Sequence, residues 1–288
     1  MIGNADGMRP NFLVIGAMKC ATTTLCEHLG RHPQVFMASP KEPHFFNNDD
    51  VFGRGWPWYE ALFSGAEGKL AIGEGNTANT MKAIFPNASQ RIAAHLPQAK
   101  LIYIVRNPLK RIESHWMAVL TRGGDPPSFP AFLRDWPSAV DTSRYWRQIS
   151  AYREHFADKQ ILVLFFEDFV QDPSRVLNRC FEFLGVDPSL GQIDSKLVMN
   201  ASTGYGVDGP LIRFVRKLPG VESLKVAAPV ISRAVGAKLR RPMPGRPIWT
   251  TDLRRQVVDQ LADDSATLLR HYGKPADWWQ FDEVAENP

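Results

Sequence analysis

"NFLVIGAMKCATTTLCEHL", residues 11–29, decides the fold. It passes from an apolar run, through a loop of small residues holding one lysine, into an amphipathic segment. The run "FLVIG" at 12–16 lacks polar alternation, as befits a parallel strand covered on both faces by helices. A helix is expected over 22–29. A strand entering a helix through small residues presents backbone N–H groups and the positive end of the helix dipole, which together make an anion site. Measured against the phosphate-loop pattern GxxxxGK[ST], Gly16 fits, Ala21 stands at the second glycine, Thr22 at the lysine and Thr23 at the hydroxyl position. The lysine has moved inside the loop, to Lys19. There it lies near a bridging oxygen rather than a terminal phosphate, which implies a shorter anion chain. By itself the stretch is also readable, though less readily, as a surface lysine in an ordinary strand-to-helix turn.

Two further apolar runs, "LIYIVR" at 101–106 and "ILVLFFE" at 161–167, read as buried parallel strands. Helical sequence follows each: Pro108 to Leu120, with proline in the first turn where its missing N–H costs nothing, and Pro173 to Leu184, stopped by Gly185. A short strand is expected at Ala71 to Gly73, a helix from Asn87 (as N-cap) to His95, and another over Ser143 to Phe156. Residues 203–250, broken by many prolines and glycines, are expected to form a lid or acceptor-binding insertion. A last helix from Thr251 carries Leu253, Val257, Leu261 and Leu268 on one face, before the aromatic end "DWWQF". The whole is an α/β chain with a central parallel sheet, expected as one domain over 1–288.

The second strand corroborates the loop. "IVRNPLKRIESHW" puts Arg106 at a strand's carboxyl end and Ser114 eight residues on, in the following helix, where the two can clamp one phosphate. Ligands in open α/β sheets bind outside the carboxyl ends of the strands, so Arg106 and the Lys19 loop should share a crevice. Each residue alone also reads as a structural ion-pair partner or a solvated hydroxyl. Together they describe a ligand with phosphate at both ends.

Composition narrows the field. With 34 basic and 30 acidic residues the net charge is +4, too small and dispersed to point to nucleic acid or a membrane surface, but suited to a small anion. Cys20, Cys26 and Cys180 form no CxxC pair, which argues against a disulfide framework or zinc site and for a reducing compartment. Without a signal-like start or a long apolar stretch, the chain is expected to be cytoplasmic. A cysteine-phosphatase reading fails because it needs arginine six residues after the cysteine, and Cys26 stands there relative to Cys20.

These residues together resemble the sulfotransferases that use 3′-phosphoadenosine 5′-phosphosulfate (PAPS), in particular the branch holding heparan sulfate sulfotransferase domains and many bacterial enzymes. "FLVIGAMKCATTTL" is similar to the 5′-phosphosulfate loop and "RNPLKRIESHW" to the 3′-phosphate segment; "KEPHFFNND" and "IGEGNTA" match the family's acidic segment and strand end. The resemblance runs from about Asn11 to Leu184. It implies a P-loop-kinase-like three-layer fold, PAPS as co-substrate, no metal, and a small-molecule, lipid or saccharide acceptor. It assigns Lys19 to the 5′-phosphosulfate, Ala21, Thr22, Thr23 and Thr24 as donors to it, and Arg106 and Ser114 to the 3′-phosphate. Cys20 stands where glycine or threonine is common, and Gly75 where heparan sulfate 3-O-sulfating enzymes carry an active-site lysine, which argues against a heparan-like acceptor. The missing anchor segment favours a bacterial cytoplasmic enzyme.

Sulfuryl transfer is an in-line displacement in which positioning and neutralising the leaving phosphate supply most of the catalysis. Lys19 is expected to do the neutralising. The acceptor must lose a proton, and "KEPHFF" offers Glu42 and His44, spaced by two so that an extended segment points both the same way. Glu42 is the expected base, by the resemblance, with His44 as partner or substitute. Lys41 reads as a solvated charge. Glu74 could orient Lys19, bind the acceptor or make a structural hydrogen bond, and Ser202, Thr203, Gly204 and Tyr205 are candidates for closing over the nucleotide. Phe45, Phe46, Trp56, Trp58 and Tyr59 could line an acceptor cleft or simply fill the core. A small-molecule kinase and a non-catalytic nucleotide-binding protein remain as rival readings.

Overall fold

The computed structural model describes residues 8–121, 127–192, 207–208, 240–241 and 245–281. Five parallel strands form one sheet: β1 (Phe12–Gly16), β2 (Val35–Met37), β3 (Ala71–Gly75), β4 (Lys100–Val105) and β5 (Ile161–Phe165), in the order β2-β3-β1-β4-β5. β1 and β3 are buried at every position and β4 at all but its first, which explains their unbroken apolar sequence. From β1 the chain winds outward through β2, and from β4 it winds the opposite way to β5. The crevice between the ends of β1 and β4 is therefore the point where the winding reverses, the place where open α/β sheets bind ligands.

The helices are α1 (Thr22–Gly30), α2 (Asp49–Phe52), α3 (Trp56–Glu60), α4 (Ala88–His95), α5 (Pro108–Leu120), α6 (Phe129–Asp135), α7 (Ser138–Asp141), α8 (Tyr145–Arg153), α9 (Phe166–Gln171), α10 (Pro173–Leu184) and α11 (Thr251–His271). α1 packs on α10, while α4 and α11 pack on α8, so helices flank the sheet. α5 begins at Pro108, and Asn107 accepts hydrogen bonds from the N–H groups of Leu109 and Lys110. α10 ends at Gly185, whose φ of 81° suits a residue without a side chain. α5, α6, α7 and α11 bury a second apolar cluster that includes Ile112, Trp116, Phe132, Val257 and Leu261.

Some expectations need correction. The strand expected to 167 stops at Phe165, and Phe166 and Glu167 open α9 instead. Asn87 precedes α4 with helical backbone angles and makes no side-chain cap, and the helix expected over 143–156 is the shorter α8. Leu253 is only partly buried beside its buried companions on α11. Of the expected lid at 203–250, the described part is a two-residue pairing of β6 (Val207–Asp208) with β7 (Arg240–Arg241) and the approach to α11 at 245–250. Ser202, Thr203, Gly204 and Tyr205 lie outside the described residues. Among the described residues, no helix is long and apolar enough to cross a membrane.

Candidate functional site

The site begins where β1 stops. Gly16 has φ 155°, and a Cβ there would lie 2.0 Å from Thr80 Oγ1, whose hydroxyl donates to the Ile15 carbonyl at 3.1 Å. Only glycine lets Thr80 pin the strand end at that distance. Lys19 and Ala21 then take left-handed angles, φ 70° and 65°. Alternation of this kind turns successive N–H groups toward a shared concavity. Ala21 holds the N-cap position of α1 with only a methyl, so no side chain satisfies the first-turn N–H groups of Thr22, Thr23 and Thr24. Cys20 fits without distortion: it is fully buried, 3.8 Å from Tyr145 Oη, and burial pushes its thiol up to about 12.

β4 lies beside β1 in parallel register, so Arg106, the residue after β4, stands on the same edge of the sheet as the Lys19 loop. Its guanidinium lies over the Phe166 ring, 4.4 Å from the centroid. The adjoining turn is clasped from two sides. The Asn107 N–H donates to Glu167 Oε1 at 2.7 Å, and Asn107 Nδ2 donates to the Trp279 carbonyl at 2.7 Å. Ser114 is half-buried on α5. Its neighbour Glu113 accepts from Trp249 Nε1 at 3.0 Å, which ties the segment before α11 to the same helix.

On the other flank of β1, the end of β3 meets the "KEPHFF" segment, where the Glu42 N–H donates to the Gly75 carbonyl at 2.9 Å. Here the expected extended geometry is overturned. Glu42 and His44 adopt φ 61° and 59°, left-handed angles on either side of Pro43, because the segment bends around the strand end instead of running along it. Glu42 Oε1 accepts from Thr77 Oγ1 at 2.8 Å and from Lys41 Nζ at 3.3 Å. Oε2 accepts nothing from the described residues. Burial pushes this carboxyl up, but Lys41, the Thr77 hydroxyl and His44 together hold it below its ordinary value. Lys41 is not the solvated charge its loop position suggests. Its ammonium also donates to Thr22 Oγ1 at 3.3 Å and Thr23 Oγ1 at 3.2 Å, joining the two halves of the site.

His44 sits at the end of a directed chain. The Ala78 N–H donates to Asn76 Oδ1 at 3.1 Å, Asn76 Nδ2 to Asn47 Oδ1 at 2.8 Å, and Asn47 Nδ2 lies 3.3 Å from His44 Nδ1. A backbone N–H can only donate, so the direction of every following bond is fixed. Nδ1 of His44 must accept, and the neutral ring carries its proton on Nε2. The lone pair a base would use is occupied, whereas Oε2 of Glu42 accepts nothing from the described residues.

Glu74 lies beneath this layer, 1% exposed, with neither carboxyl oxygen hydrogen-bonded; it orients neither Lys19 nor anything else by such a bond. Burial, then the nearby Glu42, pushes it up from 4.5 to about 8, against a smaller pull from Lys41. Below the unfolded value both states hold the proton. As pH rises past it, the unfolded chain ionises while the folded carboxyl stays neutral, so stability falls until the folded value is reached. Glu74→Gln should flatten that fall and gain about 1–3 kcal/mol at pH 8 relative to wild type. Denaturant midpoints measured from pH 5 to 8 check this, and parallel curves for the two proteins would contradict it.

Phe45, Phe46 and Tyr59 belong to the core: all are buried, with Phe45 stacked on Tyr59 at 4.2 Å between centroids. Trp56 and Trp58 are partly buried and covered by the guanidinium groups of Arg9 and Arg54. Lys41, Asn47, Asn76, Thr77 and Asn107 are the site residues that sequence reasoning missed. Each stood inside a quoted segment, Lys41 and Asn47 in "KEPHFFNND", Asn76 and Thr77 in "IGEGNTA" and Asn107 in "RNPLKRIESHW", but nothing in the residue types marked them out.

A family model described as a sulfotransferase domain matches residues 9–202. Heparan sulfate glucosamine 3-O-sulfotransferase 6 of Homo sapiens is 31% identical over 205 residues, covering 68% of this chain and 57% of its own length. The membrane-associated sulfotransferase kil1 of Dictyostelium discoideum is 32% identical over 160 residues, covering 52% of this chain and 32% of that protein. The chain spans about half the length of the curated relatives it matches. The crystal structure of a sulfotransferase from Alicyclobacillus acidocaldarius superposes with a TM-score of 0.68 at 23% identity, covering 95% of this chain and 99% of that one, which speaks to the fold.

Proposed function

Because the chain belongs to the sulfotransferase domain family, we propose that it moves the sulfuryl group of PAPS to a hydroxyl or amine of a small-molecule, lipid or saccharide acceptor. One observation carries the reading: the Lys19 loop and Arg106, two cationic elements, follow the adjacent parallel strands β1 and β4 at their carboxyl edge, where the sheet's winding reverses. The co-substrate supplies an activated sulfuryl group on a 5′-phosphate. The open N–H groups of residues 22–24 and the Thr22 and Thr23 hydroxyls bind its 5′ end, and Arg106 and Ser114 bind the 3′-phosphate. Lys19 neutralises charge on the leaving phosphate, and Glu42 takes the acceptor's proton on Oε2. His44, donating through Nε2, steadies the acceptor oxygen.

The acceptor of the human relative, glucosamine in heparan sulfate, is not carried over. A side chain at position 75 has no room, because a Cβ there would lie 2.5 Å from Cys26 Sγ. A cytoplasmic setting is supported by three buried, unpaired cysteines. We take 1–288 as one domain with 203–250 as its lid.

Calorimetry with adenosine 3′,5′-bisphosphate and with ATP·Mg²⁺ tests the reading. The bisphosphate should bind and ATP·Mg²⁺ should not, and Arg106→Ala should weaken the bisphosphate by about 10- to 100-fold, the loss of one charge-assisted contact. Tight binding confined to ATP·Mg²⁺ would support the kinase reading instead. Bisphosphate binding without any sulfuryl transfer would support a non-catalytic nucleotide-binding protein.

A further inference from the structure

Lys41 has three N–H donors, and the structure places three oxygens around them: Thr22 Oγ1 at 3.3 Å, Thr23 Oγ1 at 3.2 Å and Glu42 Oε1 at 3.3 Å. The first two belong to α1 and the third to the segment that bends over β3, so one ammonium spans both halves of the site. The stem reaches this position along the face of Gly75. A Cβ built there would lie 3.6 Å from Lys41 Cε as well as pressing on Cys26. The side chain of residue 41, 26% exposed, therefore runs past a position that carries none, and its amine arrives beside the first turn of α1.

A hydroxyl that accepts from an ammonium has its lone pairs occupied on that side, so its own O–H must turn away. Lys41 thus points the Thr22 and Thr23 hydroxyl protons away from itself. We propose that Lys41 is a positioning residue of the transfer site, a tie that aims the two threonine donors at the incoming 5′ group and fixes Glu42 in register with them. The tie rests on the donor-binding reading of the loop for its purpose, but its existence can be measured without it.

The charged and titratable groups facing Glu42 are Lys41, His44, Glu74 from β3 and Cys26 from α1. Of these, Lys41 alone makes a hydrogen-bonded ion pair with it. Carbon-detected NMR of ¹³C-glutamate-labelled protein follows the Glu42 carboxyl against pH, with Glu42→Gln assigning the signal. In Lys41→Met the midpoint should rise by about one pH unit, and in Lys41→Arg, which keeps the charge, it should stay near the wild-type value. Adenosine 3′,5′-bisphosphate should bind about tenfold more weakly to Lys41→Met, the cost of two donors no longer aimed, with partial recovery in Lys41→Arg, whose planar fork cannot serve three oxygens equally. Lys41→Gln serves the same comparison should the methionine variant fold poorly. An unmoved Glu42 midpoint in a folded Lys41→Met or Lys41→Gln protein overturns the proposal. A moved midpoint together with a wild type that ignores the bisphosphate would leave the tie standing and remove the donor-binding reading.

Discussion

Lys19→Ala is expected to lower the proposed sulfuryl transfer by about a thousandfold or more, while weakening the bisphosphate product by no more than about tenfold. The asymmetry follows from where the residue sits. Lys19 occupies a left-handed turn of the loop between β1 and α1, with its backbone committed to the concavity and its side chain half-buried at the mouth. The bridging oxygen gains negative charge as the S–O bond breaks, which it lacks in the bound co-substrate. An ammonium held there stabilises the transition state more than the bound co-substrate, so the loss falls on the rate. Single-turnover release of adenosine 3′,5′-bisphosphate from PAPS, read by chromatography beside calorimetry of the bisphosphate, separates the two effects. A rate within threefold of wild type would remove Lys19 from the chemistry.

Glu42→Gln should cost about 10²- to 10⁴-fold in transfer, with the bisphosphate bound as before. Glutamine keeps the shape and can still accept from Thr77, so the loss reports the missing base. The wild-type pH profile carries a second signature. Lys41, Thr77 and His44 hold the Glu42 carboxyl below its ordinary value against the opposing effect of burial, so the carboxylate persists into acid and transfer should stay level until pH falls below the usual carboxylate range. Glu42→Gln should lack that acid limb altogether. A profile that instead breaks near neutral pH would transfer the role to His44 and contradict the occupied Nδ1 lone pair.

What the sequence made legible is what short-range physics controls. β1, β4 and β5 are recognisable because strands buried on both faces must be apolar throughout, and α5 and α10 have readable limits because Pro108, Pro173 and Gly185 each impose one backbone state. β2, with three residues at the sheet edge, is too short to show a pattern. The loop joining β1 to α1 was readable from small residues between an apolar run and an amphipathic segment. Lys41 was not, since its partners lie 18 and 19 residues away and its route depends on a missing side chain in β3. Nor was the bend at Glu42 and His44: with Pro43 between them the segment reads as extended, and only its packing against β3 forces both residues to positive φ. The unusual state of Glu74 likewise comes from tertiary burial.

The polarity of the chain that ends on His44 is anchored to the peptide group of Ala78. A main chain N–H has no second orientation, so the two asparagine amides above it keep one order of donors for as long as the imidazole is neutral. In the proposed transfer the backbone therefore sets the division of labour: the neutral imidazole presents a donor, and the acceptor's proton goes to the carboxylate.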